Sequence, residues 1–487
     1  MLLQTFRRSG IGCIVGGAAP VSPAAENFAA GYLESWWIRE YASDNNNCHL
    51  LFNYSVWKSF ERLPTNQEWA RWQNYAQRIR GIAGFDPLSL LSSQVLSILQ
   101  SRALSEPLLP NLQNLMLRFT PVAEGFIQFV PLFLSTRTTS IKFVFSGRDL
   151  YTAKITSMIA TLPTLCPDLK KISFAELPKD LTITDAVSEL VLNTKQNNLR
   201  SFHADSPLTE EACKVIFQHR DLCKLGILID GSIALPTMVL PNLTDMEIRY
   251  SCGHNWLQGF SGASLGNLTS IKIHSRLGPI DDFLRVFKSV MLTTSIPATL
   301  SEFWFQTHHS WRPSHYSLLP FIQLQSLVIK SSCGFDCSST MDDDTITDLI
   351  RAMPKLQLLH LDDHQCETPS GVTLKGLAAI ACYCPDLSSL GIRFQVASLD
   401  PPEDRNLPYV CEPVFPRAVS GLRFLQPEHV RMPEGSTLVA ALTLLHIFPH
   451  LERINSFDTG WEKVSKALYR SSQLARSSSK WFLFAVP

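Results

Sequence analysis

The chain has 487 residues, of which 45% are hydrophobic and 18% charged, so it can bury a large core. It exceeds the ~100–200 residues usual for one compact domain, which indicates several domains or a repeat array. Lys+Arg and Asp+Glu both number 43, and this lack of net charge argues against nucleic acid as a partner. The 12 cysteines are scattered rather than spaced as a disulfide framework, and no apolar run reaches the ~20 residues of a membrane span. We therefore expect a cytoplasmic or nuclear protein that does not bind membranes.

Residues 1–50 are predicted to be a poorly structured leader. Arg7 and Arg8 stand in a stretch of 25 residues without Asp or Glu, as in a targeting sequence. The glycine-rich run that follows is less apolar than the core of a signal peptide, which favours a flexible leader.

Residues 51–108 are predicted to form a helical cap at the start of the repeats. Trp69, Trp72 and Ala76 recur at helical spacing and predict one apolar helix face. Thr65 is the expected N-cap, and Glu68, three residues later, would complete a capping box. Terminal repeats need such a cap, because their outer face has no neighbour to cover it.

A ladder of the form Leu-x-x-apolar-x-apolar recurs over residues 109–456 and predicts a repeat solenoid. The units are separated by about 28 residues on average, which fits one strand and one helix per repeat. Period-two alternation within each unit predicts a strand with one buried face. The second apolar positions of the thirteen units are Leu115, Ile141, Ile172, Phe202, Leu225, Met246, Ile271, Phe303, Leu327, Leu359, Leu390, Leu425 and Ile454.

Helical periodicity lies between these strands, as in Ile346, Leu349 and Ile350 or in Leu374, Leu377 and Ile380. A third example, Ile280 to Met291, follows the strand at Ile271. The predicted fold class is therefore α/β: a curved leucine-rich repeat horseshoe with parallel strands on the concave face and helices on the convex face. Asp342, Asp343 and Asp344 precede one of the helices and are interpreted as solvated capping residues. Residues 457–487 are expected to form a C-terminal cap or tail.

The stretch from Leu356 to Ile392 resembles the cysteine-containing leucine-rich repeats common in F-box proteins. Leu356-x-x-Leu359-x-Leu361 is followed by Cys366, a helix with Leu374-x-x-Leu377, and then Cys384-Pro385-x-Leu387. Upstream, Trp57-Lys-Ser-Phe-Glu-Arg-Leu-Pro64 is similar to the region just after the F-box in fungal, mushroom-type F-box proteins.

This resemblance implies a substrate receptor of an SCF-type ubiquitin ligase, with a Skp-family adaptor and a cullin as further partners. Residues 1–56 contain no Leu-Pro-x-Glu-Ile/Val-Leu opening of an F-box. A degenerate or missing box therefore stays open, and so does a free-standing repeat scaffold or inhibitor without a link to ubiquitin.

No motif for catalysis or for a cofactor stands out, so we expect a protein that is not an enzyme and holds no cofactor or metal. The nearest approach to a zinc site is Cys333-x-x-x-Cys337 with His364-x-Cys366. Cys366 occupies the structural cysteine position of its repeat, and the gap of 26 residues between Cys337 and His364 fits no usual zinc spacing. Structural thiols are the favoured interpretation.

The strand positions that alternate with the buried ones form the surface with which solenoids bind protein targets. Basic and aromatic residues gather there, a composition typical of protein-binding hot spots. The candidate binding residues are Arg249, Lys272, His274, Trp304, Gln306, Lys330, His360, Asp362 and Arg393.

Overall fold

The computed structural model describes two compact units, Met1–Leu228 (unit 1) and Ile229–Pro487 (unit 2). Within them the described residues are 38–43, 47–52, 65–85, 93–102, 107–120, 124–146, 152–194, 198–230, 238–250, 263, 265–275, 299–307, 322–331, 341–361, 371–394, 424–427, 441, 444, 447–448, 450–451, 453–454 and 461–470.

The strands of unit 1 follow one another across a sheet in chain order. The first pair, β1 and β2, is antiparallel, and from β2 to β8 each strand pairs in parallel with the next. The strands are β1 (Ile38–Ser43), β2 (Asn47–Phe52), β3 (Gly81–Phe85), β4 (Asn114–Phe119), β5 (Ser140–Phe145), β6 (Lys171–Ala175), β7 (Ser201–Pro207) and β8 (Lys224–Ile229). The helices are α1 (Asn66–Ala76), α2 (Ser93–Arg102), α3 (Glu124–Ile127), a 3-10 turn (Val130–Phe133), α4 (Thr152–Leu165), α5 (Leu181–Asn193) and α6 (Glu210–Ile216).

Unit 2 repeats this plan with parallel strands that are again in chain order. Its strands are β9 (Asp245–Tyr250), β10 (Ser270–Ser275), β11 (Glu302–Thr307), β12 (Ser326–Ser331), β13 (Leu358–Leu361), β14 (Ser389–Ile392), β15 (Phe424–Pro427) and β16 (Arg453–Ile454). Helices α7 (Asp343–Arg351) and α8 (Leu374–Tyr383) pack against each other, and residues 461–470 are also helical.

The predicted α/β repeat solenoid is confirmed, because every ladder unit of the sequence lies in one of the strands β4 to β16. Burial follows the predicted alternation. In β4, for example, Leu115, Leu117 and Phe119 are buried, whereas Arg118 is exposed. A strand with one buried face and helices that cover that face are what a stacked repeat requires.

A cluster of phenylalanines fills the core below β4, β5 and β6. The Phe143 ring centroid lies 5.7 Å from that of Phe119, 6.4 Å from that of Phe145 and 6.0 Å from that of Phe174. All four side chains are fully buried. Edge-to-face and tilted contacts of this kind add to the hydrophobic stabilisation of the cluster.

One backbone motif sets the register between repeats. The Arg80 carbonyl, one residue before β3, accepts hydrogen bonds from the N–H groups of Gln113 and Asn114, at 2.8 and 3.0 Å. The same double acceptance recurs from repeat to repeat within each unit. It aligns the residues that precede each strand into a row, here called the amino-edge row. Its members are Arg80, Gln113, Thr139, Lys170, Arg200 and Cys223 in unit 1, and Thr244, Thr269, Ser301, Gln325, Gln357 and Ser388 in unit 2.

The three aspartates at the start of α7 have three different environments. Asp342 is the N-cap of α7 and accepts a hydrogen bond from the Thr345 N–H at 2.9 Å, and hydrogen bonds from Thr345 hold the pKa of Asp342 below its ordinary value. Asp344 is 88% exposed and lies 3.3 Å from the Lys375 ammonium. The prediction of a solvated cap therefore fits Asp342, and the exposure of Asp344 agrees with it.

The interpretation of Asp343 as a solvated residue was wrong, because its carboxylate reaches into the next repeat. Its oxygens accept hydrogen bonds from the Thr373 N–H at 2.7 Å, the Thr373 hydroxyl at 2.6 Å and the Gly376 N–H at 2.9 Å. These N–H groups lie at the amino end of α8, where backbone donors have no partner within the helix. Asp343 thus ties α7 to α8.

Replacing Asp343 with alanine is expected to lower the free energy of unfolding by about 1.5–3 kcal/mol, because a carboxylate that accepts several hydrogen bonds is lost. The matched control is Asp344→Ala, for which a change of about 0.5 kcal/mol or less is expected at this exposed ion pair. Urea denaturation of both variants tests the difference. Equal midpoints for the two would contradict the assigned role of Asp343.

Three strands lie before residue 109, where the leucine ladder of the sequence begins. The expected leader of residues 1–50 and the expected cap of residues 51–108 contain β1, β2 and β3. These strands lack the leucine pattern, and β3 (Gly81–Phe85) has two glycines, which are unfavourable in strands. Between β2 and β3, helix α1 has the predicted capping box of Thr65 and Glu68.

Residues 461–470, within the predicted cap or tail of 457–487, form a helix whose Trp461 is fully buried. The Trp461 ring contacts Phe394 edge-on, with 5.6 Å between the centroids. In the described part of the chain, no helix has the length and apolar character needed to cross a membrane.

Candidate protein-binding face

The side chains that alternate with the buried core positions form the open face of each unit's sheet, and most of the predicted binding residues lie on the open face of unit 2. Pairing in register places them in rows that run across the strands. The central row is Glu247, Lys272, Trp304, Val328, His360 and Gly391, and the carboxyl-end row is Arg249, His274, Gln306 and Lys330.

Glu247 organises the first two strands of this face. Its Oε1 atom accepts hydrogen bonds from Arg249 Nε at 3.0 Å and Nη2 at 2.7 Å. His274 Nε2 of the next strand lies 3.2 Å from the same oxygen. All three side chains are between one-quarter and one-third exposed, so the pairs are shielded from water only in part. Glu247 was not among the predicted binding residues, although its alternate position in β9 was a signal available in the sequence.

His274 and Trp304 contact each other across β10 and β11. Their ring centroids are 4.3 Å apart, with an angle of 52° between the planes. Trp304 is half-buried and has Lys272 and Val328 as register partners in the neighbouring strands. The contacts of Glu247 with His274 and of His274 with Trp304 therefore hold the indole in place and leave part of it accessible. We call Glu247, Arg249, Lys272, His274, Trp304, Gln306 and Lys330 the Trp304 cluster.

Charge changes along the strand direction on this face. The amino ends of β9 and β11 carry Asp245 and Glu302, and Glu302 Oε2 accepts a hydrogen bond from the Ser270 hydroxyl at 3.0 Å. The Trp304 cluster beyond them has three permanent cations and one carboxylate. The cluster is thus an apolar and aromatic centre within a mainly basic rim.

The other predicted residues lie outside this cluster. His360 has its Nε2 atom 3.0 Å from the Ser389 hydroxyl, and its ring covers Gly391, where an added Cβ would lie 3.0–3.2 Å from ring atoms. Arg393 follows β14 and is only 9% exposed, so its side chain offers little accessible surface. Asp362 lies outside the described residues.

Unit 1 has a similar histidine on its open face. His203 Nε2 lies 3.0 Å from Asp205 Oδ1, and Asp205 Oδ2 accepts a hydrogen bond from the Glu176 N–H at 2.7 Å. A Cβ at Gly226 would lie 2.2 Å from His203 Nδ1, so the ring covers β8. Ser173, the register partner of His203 in β6, lies on the side of β7 that faces away from β8. This geometry holds a histidine flat on the sheet and does not form a Ser-His-Asp triad.

The described cysteines are free thiols, and three of them, Cys166, Cys213 and Cys384, are buried. Burial raises the pKa of Cys213 and of Cys384 to about 12, and it raises that of Cys166 to about 11 despite hydrogen bonds with Thr138 and Ser135. Thiols with such pKa values remain protonated at neutral pH and are poor nucleophiles. The residues of the considered zinc constellation, Cys333, Cys337, His364 and Cys366, lie outside the described residues. Within the described ranges no three His, Cys, Asp or Glu side chains gather as metal ligands would.

No family model matches the chain, and no curated protein matches it. The interpretation of the face therefore rests on the residues themselves, above all on the contacts within the Trp304 cluster.

Proposed function

We propose that the protein is a non-catalytic recognition scaffold that binds a protein target on the open face of unit 2, with Trp304 as the central contact. The observation that carries this proposal is the Trp304 cluster. An indole held by His274, which is itself paired with Glu247, loses little conformational freedom when a partner covers it.

The chemistry of the cluster indicates the surface that it would recognise. Arg249, Lys272 and Lys330 outnumber the single carboxylate of Glu247. Tryptophan and arginine are the residues most often found at the centre of protein interfaces, inside a polar rim. The matching target surface has an apolar pocket for the indole, with acidic residues around it.

Site-specific photo-crosslinking tests this proposal. A benzoylphenylalanine placed at Gln306 would report contacts of the open face, and one placed at Asp348, on the exposed side of α7, would report contacts of the helical side. We expect one protein target to be crosslinked from position 306 and not from position 348, and Trp304→Ala to abolish that product. Equal crosslinking from both positions would overturn the assignment of the face.

We further propose that the scaffold serves as the substrate receptor of an SCF-type ubiquitin ligase. The support is the resemblance of Trp57 to Pro64 and of the Cys384-Pro385 junction to fungal F-box proteins with leucine-rich repeats. The segment from Trp57 to Pro64 lies outside the described residues. A free-standing scaffold or inhibitor is the alternative.

Binding to a purified Skp-family adaptor and cullin separates the two. The whole chain is compared with a variant that lacks residues 1–37, a truncation that leaves β1 and the rest of the sheet in place. Saturable binding that is weakened in the shortened variant supports a degenerate F-box upstream of the sheet. No binding of the whole chain at micromolar concentrations would leave the free-standing scaffold.

A further inference from the structure

A cleft of about 530 Å³ lies in unit 1, where the carboxyl-terminal half of α1 meets the turns before β3 and β4. It is distant in sequence from the Trp304 cluster, and a ligand in this cleft would bind independently of the function proposed for that cluster. The described residues that line the cleft are basic or neutral, and none of them is a carboxylate. They are Arg71, Asn74, Tyr75, Gln77, Arg78, Arg80 and Asn111.

The floor of the cleft is held by hydrogen bonds to a single carbonyl. The Gln77 carbonyl accepts from Arg80 Nη1 at 2.9 Å and from Asn111 Nδ2 at 2.7 Å. Arg137 Nη1, from the turn before β5, donates to Asn111 Oδ1 at 2.6 Å. Three consecutive repeats thus contribute to one preformed framework, and Arg137 brings a further positive charge beside it.

Arg71 and Arg78 keep their guanidinium groups available. Both are exposed, and among the described residues no carboxylate pairs with either. Arg78 lies over the Tyr75 ring at 5.8 Å, a contact that orients a guanidinium without neutralising it. Two fixed or tethered guanidinium groups can chelate an oxyanion through paired N–H donors.

The basic character continues along the sheet edge beyond the cleft. The amino-edge row of unit 1 carries Arg80, Lys170 and Arg200, whereas the described members of the corresponding row in unit 2, from Thr244 to Ser388, have hydroxyl or amide side chains. The backbone register makes Lys170 and Arg200 neighbours, since the Lys170 carbonyl accepts from the Arg200 N–H at 2.8 Å. A net charge of zero for the whole chain therefore conceals a local basic edge.

Basic residues near the carboxyl end of a helix also stabilise the helix dipole, and Arg78 and Arg80 follow α1. That role does not explain Arg71 inside the helix, Arg137 in another repeat or the basic row that continues to Arg200. The arrangement matches an anion of high charge followed by further negative groups.

We propose that this cleft binds a phosphate monoester, with Arg71 and Arg78 as its ligands, and that Lys170 and Arg200 contact acidic residues next to the phosphate in a phosphorylated protein segment. A phosphorylated side chain carries about −1.5 to −2 charges and three acceptor oxygens, which suits several guanidinium donors. Nucleic acid is disfavoured, because Tyr75, the aromatic residue among the described lining residues, is covered by Arg78 and does not offer a free stacking surface.

Fluorescence polarisation with the full chain tests the site. The probe is a labelled peptide Asp-Glu-phosphoserine-Asp-Glu-Glu, with the unphosphorylated peptide, inorganic phosphate and a single-stranded oligonucleotide as separate competitors. We expect the phosphorylated probe to bind at least about tenfold more tightly than the unphosphorylated one, and inorganic phosphate to displace it at higher concentration.

Matched variants assign the residues. Arg71→Ala with Arg78→Ala is expected to weaken binding of the phosphorylated probe at least about tenfold, whereas Lys142→Ala with Lys179→Ala, which removes two exposed charges of unit 1 outside the cleft, leaves it unchanged. Lys170→Ala with Arg200→Ala should weaken binding of the phosphorylated peptide without changing the affinity for inorganic phosphate, measured by competition. Equal loss in the cleft and control variants would overturn the proposal, as would tighter binding of the oligonucleotide or no preference for the phosphorylated probe.

Discussion

Replacing Phe143 with alanine is expected to lower the free energy of unfolding by about 3–5 kcal/mol, the range found when a buried phenylalanine is truncated. Phe143 is fully buried and contacts the rings of Phe119, Phe145 and Phe174, which belong to three consecutive strands. Since each repeat contacts mainly its neighbours, the cavity would weaken two repeat interfaces at once.

The control for this prediction is the preceding residue in the chain. Lys142 points to the open face and is exposed, so Lys142→Ala should change the free energy of unfolding by less than about 0.5 kcal/mol. Urea denaturation measures both variants, and hydrogen exchange of peptides from β4, β5 and β6 localises the effect. Similar denaturation midpoints for the two variants would mean that the phenylalanine cluster contributes far less than its burial suggests.

The same alternation made the solenoid predictable from the sequence. The pattern Leu-x-x-apolar-x-apolar predicts both a strand and its buried face, and all thirteen units lie in strands. The strand β3 was missed for the converse reason. Gly81 and Gly84 carry no side chain for a core, and pairing with β4 compensates through backbone hydrogen bonds that leave no mark in the sequence.

The candidate face was predictable only residue by residue. Its members could be chosen because alternate strand positions share a face, but their contacts depend on neighbouring strands. Glu247 is an ordinary polar position in β9, and its importance arises from His274, which lies 27 positions along the chain and becomes a neighbour through the β9–β10 register. Asp343 shows the same limit, because its partners Thr373 and Gly376 belong to the next repeat.

The amino-edge row shows what a search for basic runs in the sequence overlooks. Arg80, Lys170 and Arg200 are separated by stretches of the chain as long as a repeat or more, so no basic tract is visible. The double hydrogen bonds from each repeat to the next place them in one row. Charge in a solenoid therefore has to be counted along rows across the strands rather than along the chain.

Replacing Trp304 with alanine is expected to weaken binding of the protein target about 30- to 700-fold, which corresponds to about 2–4 kcal/mol. The indole is the largest accessible apolar group of the Trp304 cluster, and its contact with His274 fixes it before binding. Loss of that ring contact alone should lower the free energy of unfolding by about 0.5–1.5 kcal/mol, too little to unfold the unit.

Two further variants separate binding from stability. Met116→Ala removes a half-buried apolar side chain from the open face of unit 1 and should leave target affinity unchanged. Trp304→Phe keeps an aromatic ring beside His274 and should recover part of the lost affinity. Once crosslinking has identified the target, isothermal titration with the purified target measures the affinity of all three variants. Thermal unfolding is recorded in parallel. If Trp304→Ala and Met116→Ala weaken binding equally, the target does not use the indole as its anchor, and the open face of unit 2 loses its claim to be the recognition surface.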